Sequence, residues 1–380
     1  MFHHIRPLLQ FTPARAKKKA TIDELLQQAK FASFWSEQKI DGERYTSQTN
    51  VGGPYLHGIT SRRLSEVTGR MVEKTDRVPH IANNPDLPPN SMFDHEFVSS
   101  GDMLLRELPG KFWDKLMEPQ HPHLRWLKSK FGGALPIYPS VGNTVSIMGS
   151  LGQEAVRKQE EKGLIWAYTF DVLRFMGKDL TQNPQSARRR FLAAQLEKVD
   201  PESGIILMPA WHNLTLKEKE EFFYLVTDPF SNEIEGGEGL IEKDPTQKYN
   251  GPQNWWKIKR DYPVDAVYTG VSKEGEEGKT GKMLGLAASL EIGVYKHGQL
   301  FPVGWVSGIR DGFHRLETPE RHALRRNEVV ECRHNGLQEE PSSPLGYTLK
   351  HPRWRRDRFD KNPEDCTFEA MYEEASKKLG

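Results

Sequence analysis

Cysteine is almost missing from this chain: Cys332 and Cys366 are the only two in 380 residues. Two thiols that far apart exclude a four-cysteine zinc module and give no disulfide framework. The simplest compartment for such a chain is a reducing, cytoplasmic one. No apolar run approaches the ~20 residues that a membrane helix needs, so no membrane partner is expected. Charge of one sign is lacking as well. The formal net charge is +1, so any surface for a polyanion has to be local rather than global. Acid is absent from the first 22 residues, which carry Arg6, Arg15 and the run Lys17, Lys18, Lys19. That segment (1–20) reads as a basic, disordered arm, with an organelle-targeting peptide as the alternative. No apolar segment follows these charges, so it does not read as a secretory signal.

The length suits two domains, and 36% hydrophobic with 28% charged residues supplies real cores under a charged surface. Thr21 and Glu24 form a capping-box pattern that predicts a helix start. Residues 34–48 read as short extended segments around an Asp41-Gly42 turn. Ser91–Val98 reads as a strand, with Asp94 and Glu96 on one face and Phe93, His95 and Phe97 on the other. Residues 119–150, rich in Pro and Gly, read as an irregular surface region. Gln153–Lys162 reads as a helix and Leu164–Phe175 as a buried strand. Asn183-Pro184 predicts a helix start with Asn as cap, running to about Val199. Thr215 and Glu218 predict another. Strands follow at Gly239–Lys243 and Trp255–Arg260. Beyond Tyr262, the segments Ala266–Val271, Met283–Ile292 and Leu300–Val306 predict a small β-barrel. The expected division is therefore 21–262 for the first domain and 263–380 for the second.

The sharpest chemical signal is Lys39-Ile40-Asp41-Gly42-Glu43-Arg44. A lysine acts as a nucleophile only when part of it is neutral, and burial or neighbouring cations achieve that. The Asp-Gly turn would fix Lys39 at a strand end, and Arg44 just beyond it could reach a phosphate or ribose. Asp94 and Glu96 put two carboxylates on one strand face, which calls for a cation or solvent. In Trp256-Lys257-Ile258-Lys259, alternation puts two lysines on one face, which suits an anion between them. Each pattern alone also has a plain reading: a solvated turn lysine, a carboxylate at a wet turn, a basic strand edge, an aromatic in a core.

These segments, in this order, resemble the covalent nucleotidyltransferase superfamily, and within it the ATP-dependent DNA ligases of the minimal bacteriophage and bacterial type. Lys39 matches the nucleotidylated lysine of the Lys-x-Asp-Gly-x-Arg motif. Ser61-Arg62 resembles the next element. Asp94-His95-Glu96 resembles an Asp-Gly-Glu motif, with His95 where glycine is usual. Phe170 in Tyr168-Thr169-Phe170-Asp171 matches the aromatic that stacks on the purine. Glu238-Gly239-Leu240-Ile241-Glu242-Lys243 and Trp256–Lys259 resemble the fourth and fifth motifs. Pro352-Arg353-Trp354 through Asp360-Lys361 resembles the last. Residues 143–162 also look like the segment that precedes the aromatic motif in DNA ligases.

The resemblance implies an α+β fold: an ATP-grasp-like adenylation (nucleotidyltransferase) domain of antiparallel sheets and helices, followed by a carboxy-terminal OB-fold barrel. It implies a catalytic set of Lys39, Lys257, Lys259, Asp360 and Lys361. It implies ATP contacts from Glu37, Lys39, Arg44, Arg62, Glu96, Phe170, Lys257 and Lys259. The implied metal, Mg2+ or Mn2+, falls to Glu96 and Glu238, with Asp94 a weaker ligand. The implied partner is nicked duplex DNA bound by a monomer, with Arg353, Arg356 and Arg358 among its contacts. The 15–19 run and the 121–131 segment (His121, Arg125, Lys128, Lys130) are further basic candidates. Roles in DNA replication, repair or recombination follow. An RNA ligase shares the first five motifs and is the alternative. A guanylyl-transferring capping enzyme, or a ligase fold that has lost its chemistry, fits less well.

Overall fold

The computed structural model describes residues 18–49, 57–64, 69, 71–228, 236–249, 251, 255–274, 285–306 and 318–376. The chain divides into two compact units, the first comprising 1–227 with 236–258 and the second 228–235 with 259–380.

The strands of the first unit are β1 (Lys18–Ala20), β2 (Trp35–Lys39), β3 (Glu43–Thr49), β4 (His57–Leu64), β5 (Met71–Glu73), β6 (Met92–Ser99), β7 (Leu104–Glu107), β8 (Ala134–Ile137), β9 (Ile165–Phe175), β10 (Lys178–Asp179), β11 (Ile205–Leu207), β12 (Ala210–Trp211), β13 (Gly239–Lys243) and β14 (Trp255–Lys259), whose last residue already counts to the second unit. They build two principal sheets. One has the order β1-β14-β13-β2-β12; the other runs β10-β9-β6-β3-β4-β5, with β11 beside β9. Most pairings are antiparallel, and β1 on β14 and β11 on β9 are parallel. The fold is thus mixed α+β with antiparallel sheets.

The larger sheet owes its orientation to side-chain alternation. Phe93 and Phe97 of β6 join Ile165, Ala167 and Val172 of β9 in one apolar cluster. Helices Gly142–Gly149, Gly152–Lys162 and Gln185–Leu196 add Ile147, Met148, Ala155, Leu192 and Leu196 to that cluster. The helices therefore cover one face of the sheet, and Asp94 and Glu96 face the other way. The capping box at Thr21 is formed, with Thr21 and Glu24 exchanging side chain-to-backbone hydrogen bonds. The same reciprocal pattern joins Thr215 and Glu218 ahead of the helix Leu216–Thr227.

Three local expectations need correction. Residues 119–150 are not an irregular surface region. They hold the helix Pro122–Lys130, strand β8 and the helix Gly142–Gly149, and they bury Leu124, Leu127, Leu135 and Ile137. Their prolines and glycines punctuate element ends, as at Pro122 in the first turn. His121 there is no surface cation: it is buried, caps the helix, and meets the Ala193 carbonyl through Nε2 at 3.0 Å. The helix expected from Asn183 is Gln185–Leu196, with Pro184 at the cap position and no side-chain cap. Residues 18–20 are not part of a loose arm but the edge strand β1, whereas 1–17 lie outside the described residues.

The second unit contains β15 (Tyr262–Glu274), β16 (Ala287–Lys296), β17 (Gln299–Val306), β18 (Val329–His334), β19 (Leu337–Glu339), β20 (Tyr347–Leu349) and β21 (Arg353–Asp357). Five of these form an antiparallel sheet of order β17-β16-β15-β18-β21. Val264, Ala266, Ile292, Val294, Val303 and Val330 form its core, closed by Met371 and Ala375 of the last helix. The strand expected over 283–292 begins at Ala287, and Met283 lies outside the described residues. No helix among the described residues is long and apolar enough to cross a membrane.

Candidate active site

Lys39 is the last residue of β2, and Glu43 opens β3 in the other sheet. The Asp41-Gly42 turn therefore carries the chain from one sheet to the next with Lys39 at the junction. Gly42 is required there. A Cβ built on it would lie 2.4 Å from the Phe97 carbonyl oxygen and 2.8 Å from Val98 Cγ1, so β6 leaves room only for glycine. Across the smaller sheet Lys39 is in register with Gly239, whose φ of 139° is also a glycine conformation. Glu238, just before it, forms an ion pair with the Lys39 ammonium.

Arg44 of β3 reaches diagonally to Asp94 of β6, two residues along from its register partner. Arg44 Nε donates to Asp94 Oδ1 at 2.8 Å and Nη2 donates to Oδ2, a bidentate pair. Tyr249 closes this pair: its hydroxyl donates to Asp94 Oδ2 and accepts from Arg44 Nη2 at 3.0 Å. Asp94, fully buried, thus spends both oxygens on protein donors. Glu96 is the register partner of Arg44 and is half-buried. Burial pushes its carboxyl up to about 7, against the pull of Lys39 and Arg44 and with the push of Asp94 and Asp41. His95 points to the opposite, helix-covered face. Its ring nitrogens lie 2.7 Å from Ser47 Oγ and 2.8 Å from Thr169 Oγ1, a polar rung across three strands. Burial holds it at about 3, so it is neutral. The usual glycine is thus replaced here without disturbing the carboxylate face.

Phe170 on β9 is buried in a box of charge and aromatics. Its ring meets Trp255 edge-on at 5.8 Å, with Arg44 at 5.2 Å and Lys243 at 5.0 Å from its centroid. Lys243 pairs with Glu37 at 2.6 Å, both almost fully buried. Burial raises the Glu37 carboxyl and lowers the Lys243 ammonium from their usual values. Glu37 precedes Lys39 by two residues and shares its face of β2. Lys243 also lies 5.0 Å from the Trp255 ring. Trp255, Lys257 and Lys259 alternate along β14, so that strand presents its lysines on this same face.

Arg62 lies in β4, and its side chain is outside the described residues. The remaining candidates belong to the second unit and are paired within it. Arg353 bonds Asp261 at 2.6 Å, Arg356 bonds Glu331 at 2.8 Å, and Arg358 reaches both Asp265 at 3.2 Å and Asp360 at 2.8 Å. Lys361 meets Asp265 at 2.6 Å.

Among the described residues no three carboxylate, imidazole or thiolate groups converge to hold a metal by themselves. Glu96 and Glu238, both coupled to Lys39, supply hard oxygen donors. Such a pair fits Mg2+ or Mn2+, which take one or two carboxylates and complete their shell with water and phosphate oxygens. The motif reading missed Tyr249 and Trp255. Trp255 could have been found from its alternation with Lys257. Tyr249 lies in a connection without local periodicity, and only the tertiary fold brings it to Asp94.

Comparison with known proteins adds the following. The family described as "ATP dependent DNA ligase domain" matches residues 13–259. The DNA ligase of Thermococcus fumicolans is 26% identical over 388 residues, covering 97% of this chain and 58% of that protein. The probable DNA ligase of Nocardia farcinica is 29% identical over 221 residues, covering 53% and 39%. The chain thus spans less than two thirds of either relative. A solved structure described as Pmar-Lig_PreS3 gives a TM-score of 0.54 at 14% identity, covering 87% of this chain and 64% of that one. A structure described under "DNA binding with a minimal scaffold: Structure-function analysis of Lig E DNA ligases" gives 0.52 at 16%, covering 93% and 100%. At such identity the likeness is one of fold.

Proposed function

Because the chain belongs to the ATP-dependent DNA ligase domain family, we propose that it seals nicks in duplex DNA through an adenylated Lys39. The observation that carries this reading is the setting of Lys39: a strand end at the sheet junction, ion-paired with Glu238, beside Glu96 and the Arg44–Asp94 pair.

Lys39 first loses its ammonium proton to solvent, with its Nζ held in place by Glu238. The neutral Nζ attacks the α-phosphorus of ATP, a P–N bond forms, the α–β bridging P–O bond breaks, and its electron pair leaves with pyrophosphate. Lys257 and Lys259 bear on the phosphate charge. Phe170 and the Glu37–Lys243 pair form the base pocket. In the second transfer, a 5′-phosphate oxygen at the nick attacks the same phosphorus and releases Lys39. In the third, the 3′-hydroxyl attacks the activated 5′-phosphate, AMP departs and the hydroxyl proton passes to solvent. Glu96 and Glu238 would hold Mg2+ or Mn2+, which when bound neutralises phosphate charge.

In this reading residues 21–262 are the adenylation domain and 263–380 an OB-fold barrel whose core sheet is β17-β16-β15-β18-β21. Arg353, Arg356, Arg358, Asp360 and Lys361 act from the barrel on DNA and on the leaving group. The protein works as a monomer on nicked duplex DNA in an intracellular compartment, in replication, repair or recombination. An all-RNA nick is not the favoured substrate, since the matched family is one of DNA ligases. Incubation with α-labelled ATP and Mg2+, followed by sealing of a nicked DNA duplex, tests the proposal. Absence of covalent label on the wild type would reject it.

A further inference from the structure

The edge strand β1 pairs in parallel with β14, placing Lys18 opposite Trp256, Lys19 opposite Lys257 and Ala20 opposite Ile258. Partners in register on neighbouring strands project from the same face of a sheet. The contacts on the back face show this directly. Lys18 Nζ lies 4.9 Å from the centroid of the Trp256 ring, and Ala20 and Ile258 are both buried. Lys30 Nζ lies 4.0 Å from the same Trp256 ring, and Phe31 meets it edge-on at 5.3 Å. The back face therefore pins the register of β1, because a shift by one residue would invert every side chain on it.

With that register, Lys19 stands on the front face next to Lys257, one strand spacing away. This is the face that carries Trp255, Lys243, Glu37 and Lys39. Lys19 is exposed and Lys257 half-buried. Like charges directly opposite one another on paired strands repel, and a bound polyphosphate between them would turn that cost into attraction. An exposed lysine on an edge strand can also serve only to keep other strands from adding to the sheet. The coincidence of register, face and the neighbouring Lys257 favours the anion.

We propose that Lys19 is a further phosphate-binding residue, which holds the β- and γ-phosphates of ATP, and then the leaving pyrophosphate, together with Lys257. This rests on the ligase reading above and adds a residue from outside its motifs.

The test uses full-length wild type, Lys19→Gln, Lys19→Arg and Lys18→Gln in three assays. These are single-turnover self-adenylation against ATP concentration, pyrophosphate-driven removal of AMP from the adenylated enzyme, and sealing of a nick that already carries AMP. The expected result for Lys19→Gln is a rise of about tenfold in the half-saturating ATP and pyrophosphate concentrations, the size of one charge-assisted hydrogen bond, with maximal rates nearly unchanged. Lys19→Arg restores the affinity, and sealing of the pre-adenylated nick is unaffected because neither ATP nor pyrophosphate takes part. Unchanged half-saturation in Lys19→Gln would reduce Lys19 to an edge guard. The same loss in Lys18→Gln would trace the effect to strand docking, and a defect confined to pre-adenylated sealing would move the contact to DNA phosphate. Each of these overturns the proposal. A wild type that takes no label is a different failure, that of the ligase reading itself.

Discussion

Arg44 and Asp94 meet as a bidentate pair between β3 and β6, and the Tyr249 hydroxyl bonds to both. The guanidinium is fixed with its carbon 5.2 and 5.1 Å from the ring centroids of Phe170 and Trp255. Removing one oxygen should loosen it. Tyr249→Phe leaves the ring in place and deletes only the hydroxyl, so denaturant unfolding should show a loss of about 1–3 kcal/mol, the usual cost of a buried hydrogen bond to a charged group. Self-adenylation should slow in parallel, since Arg44 then has one partner fewer. Unchanged unfolding and rate would mean that Asp94 alone holds Arg44.

Gly42→Ala should be the most damaging small substitution near the site. The added methyl meets backbone, the Phe97 carbonyl oxygen at 2.4 Å, and cannot be relieved by turning a side chain. The turn has to shift and Lys39 with it. A displacement on the order of 1 Å costs roughly 100-fold in rate, to be read as single-turnover self-adenylation on protein whose circular dichroism is native. A rate within a few-fold of wild type would show that the turn does not position Lys39.

Glu96 gives a pH signature. Its folded carboxyl sits at about 7, above the ordinary 4.5, so it is protonated and neutral below about pH 7. Only the carboxylate holds a divalent cation. The half-saturating Mg2+ concentration for self-adenylation should therefore rise by about tenfold per unit as pH falls below ~7. Glu96→Gln should flatten that dependence and raise the requirement at every pH. A wild-type requirement that does not change with pH would detach Glu96 from the cation.

His95 makes a separable prediction about stability. Its folded value of about 3 lies below the ordinary 6.5, so the unfolded chain binds the extra proton more readily. The stabilisation is present above pH 6.5 and is lost as pH falls toward 3. His95→Gly also leaves the hydroxyls of Ser47 and Thr169 facing a cavity, and should cost about 3 kcal/mol at neutral pH. Unfolding curves of wild type and His95→Gly at several pH values measure both effects, and the gap between them should narrow on acidification. A gap that widens would contradict the buried neutral ring.

Much of the first unit was legible because its signals are local. Capping boxes at Thr21 and Thr215 announce helices over a few residues, and strict alternation separates Asp94 and Glu96 from Phe93, His95 and Phe97. The order of motifs around Lys39, Glu96, Phe170, Glu238 and Lys257 could be followed along the chain without knowing how the sheets pair. What could not be read depends on partners distant in sequence. The pairing of β1 with β14 joins residues more than 200 positions apart, and Lys18–Ala20 alone has too few residues to show a strand period. The helices within 119–150 were hidden because prolines and glycines at their ends outweighed short apolar stripes. Tyr249 carries no pattern at all, and only the fold puts its hydroxyl on Asp94. The Glu37–Lys243 pair is hidden for the same reason, although Lys243 closes the fourth motif and Glu37 stands two residues before the first.

The most direct measurement of the central claim is covalent labelling with α-labelled ATP and Mg2+, comparing wild type with Lys39→Ala and mapping the labelled peptide. Label is expected on the wild type, carried by the peptide containing Lys39 and released by pyrophosphate, and none on Lys39→Ala. Label retained by Lys39→Ala, or mapped to any other residue, would contradict it.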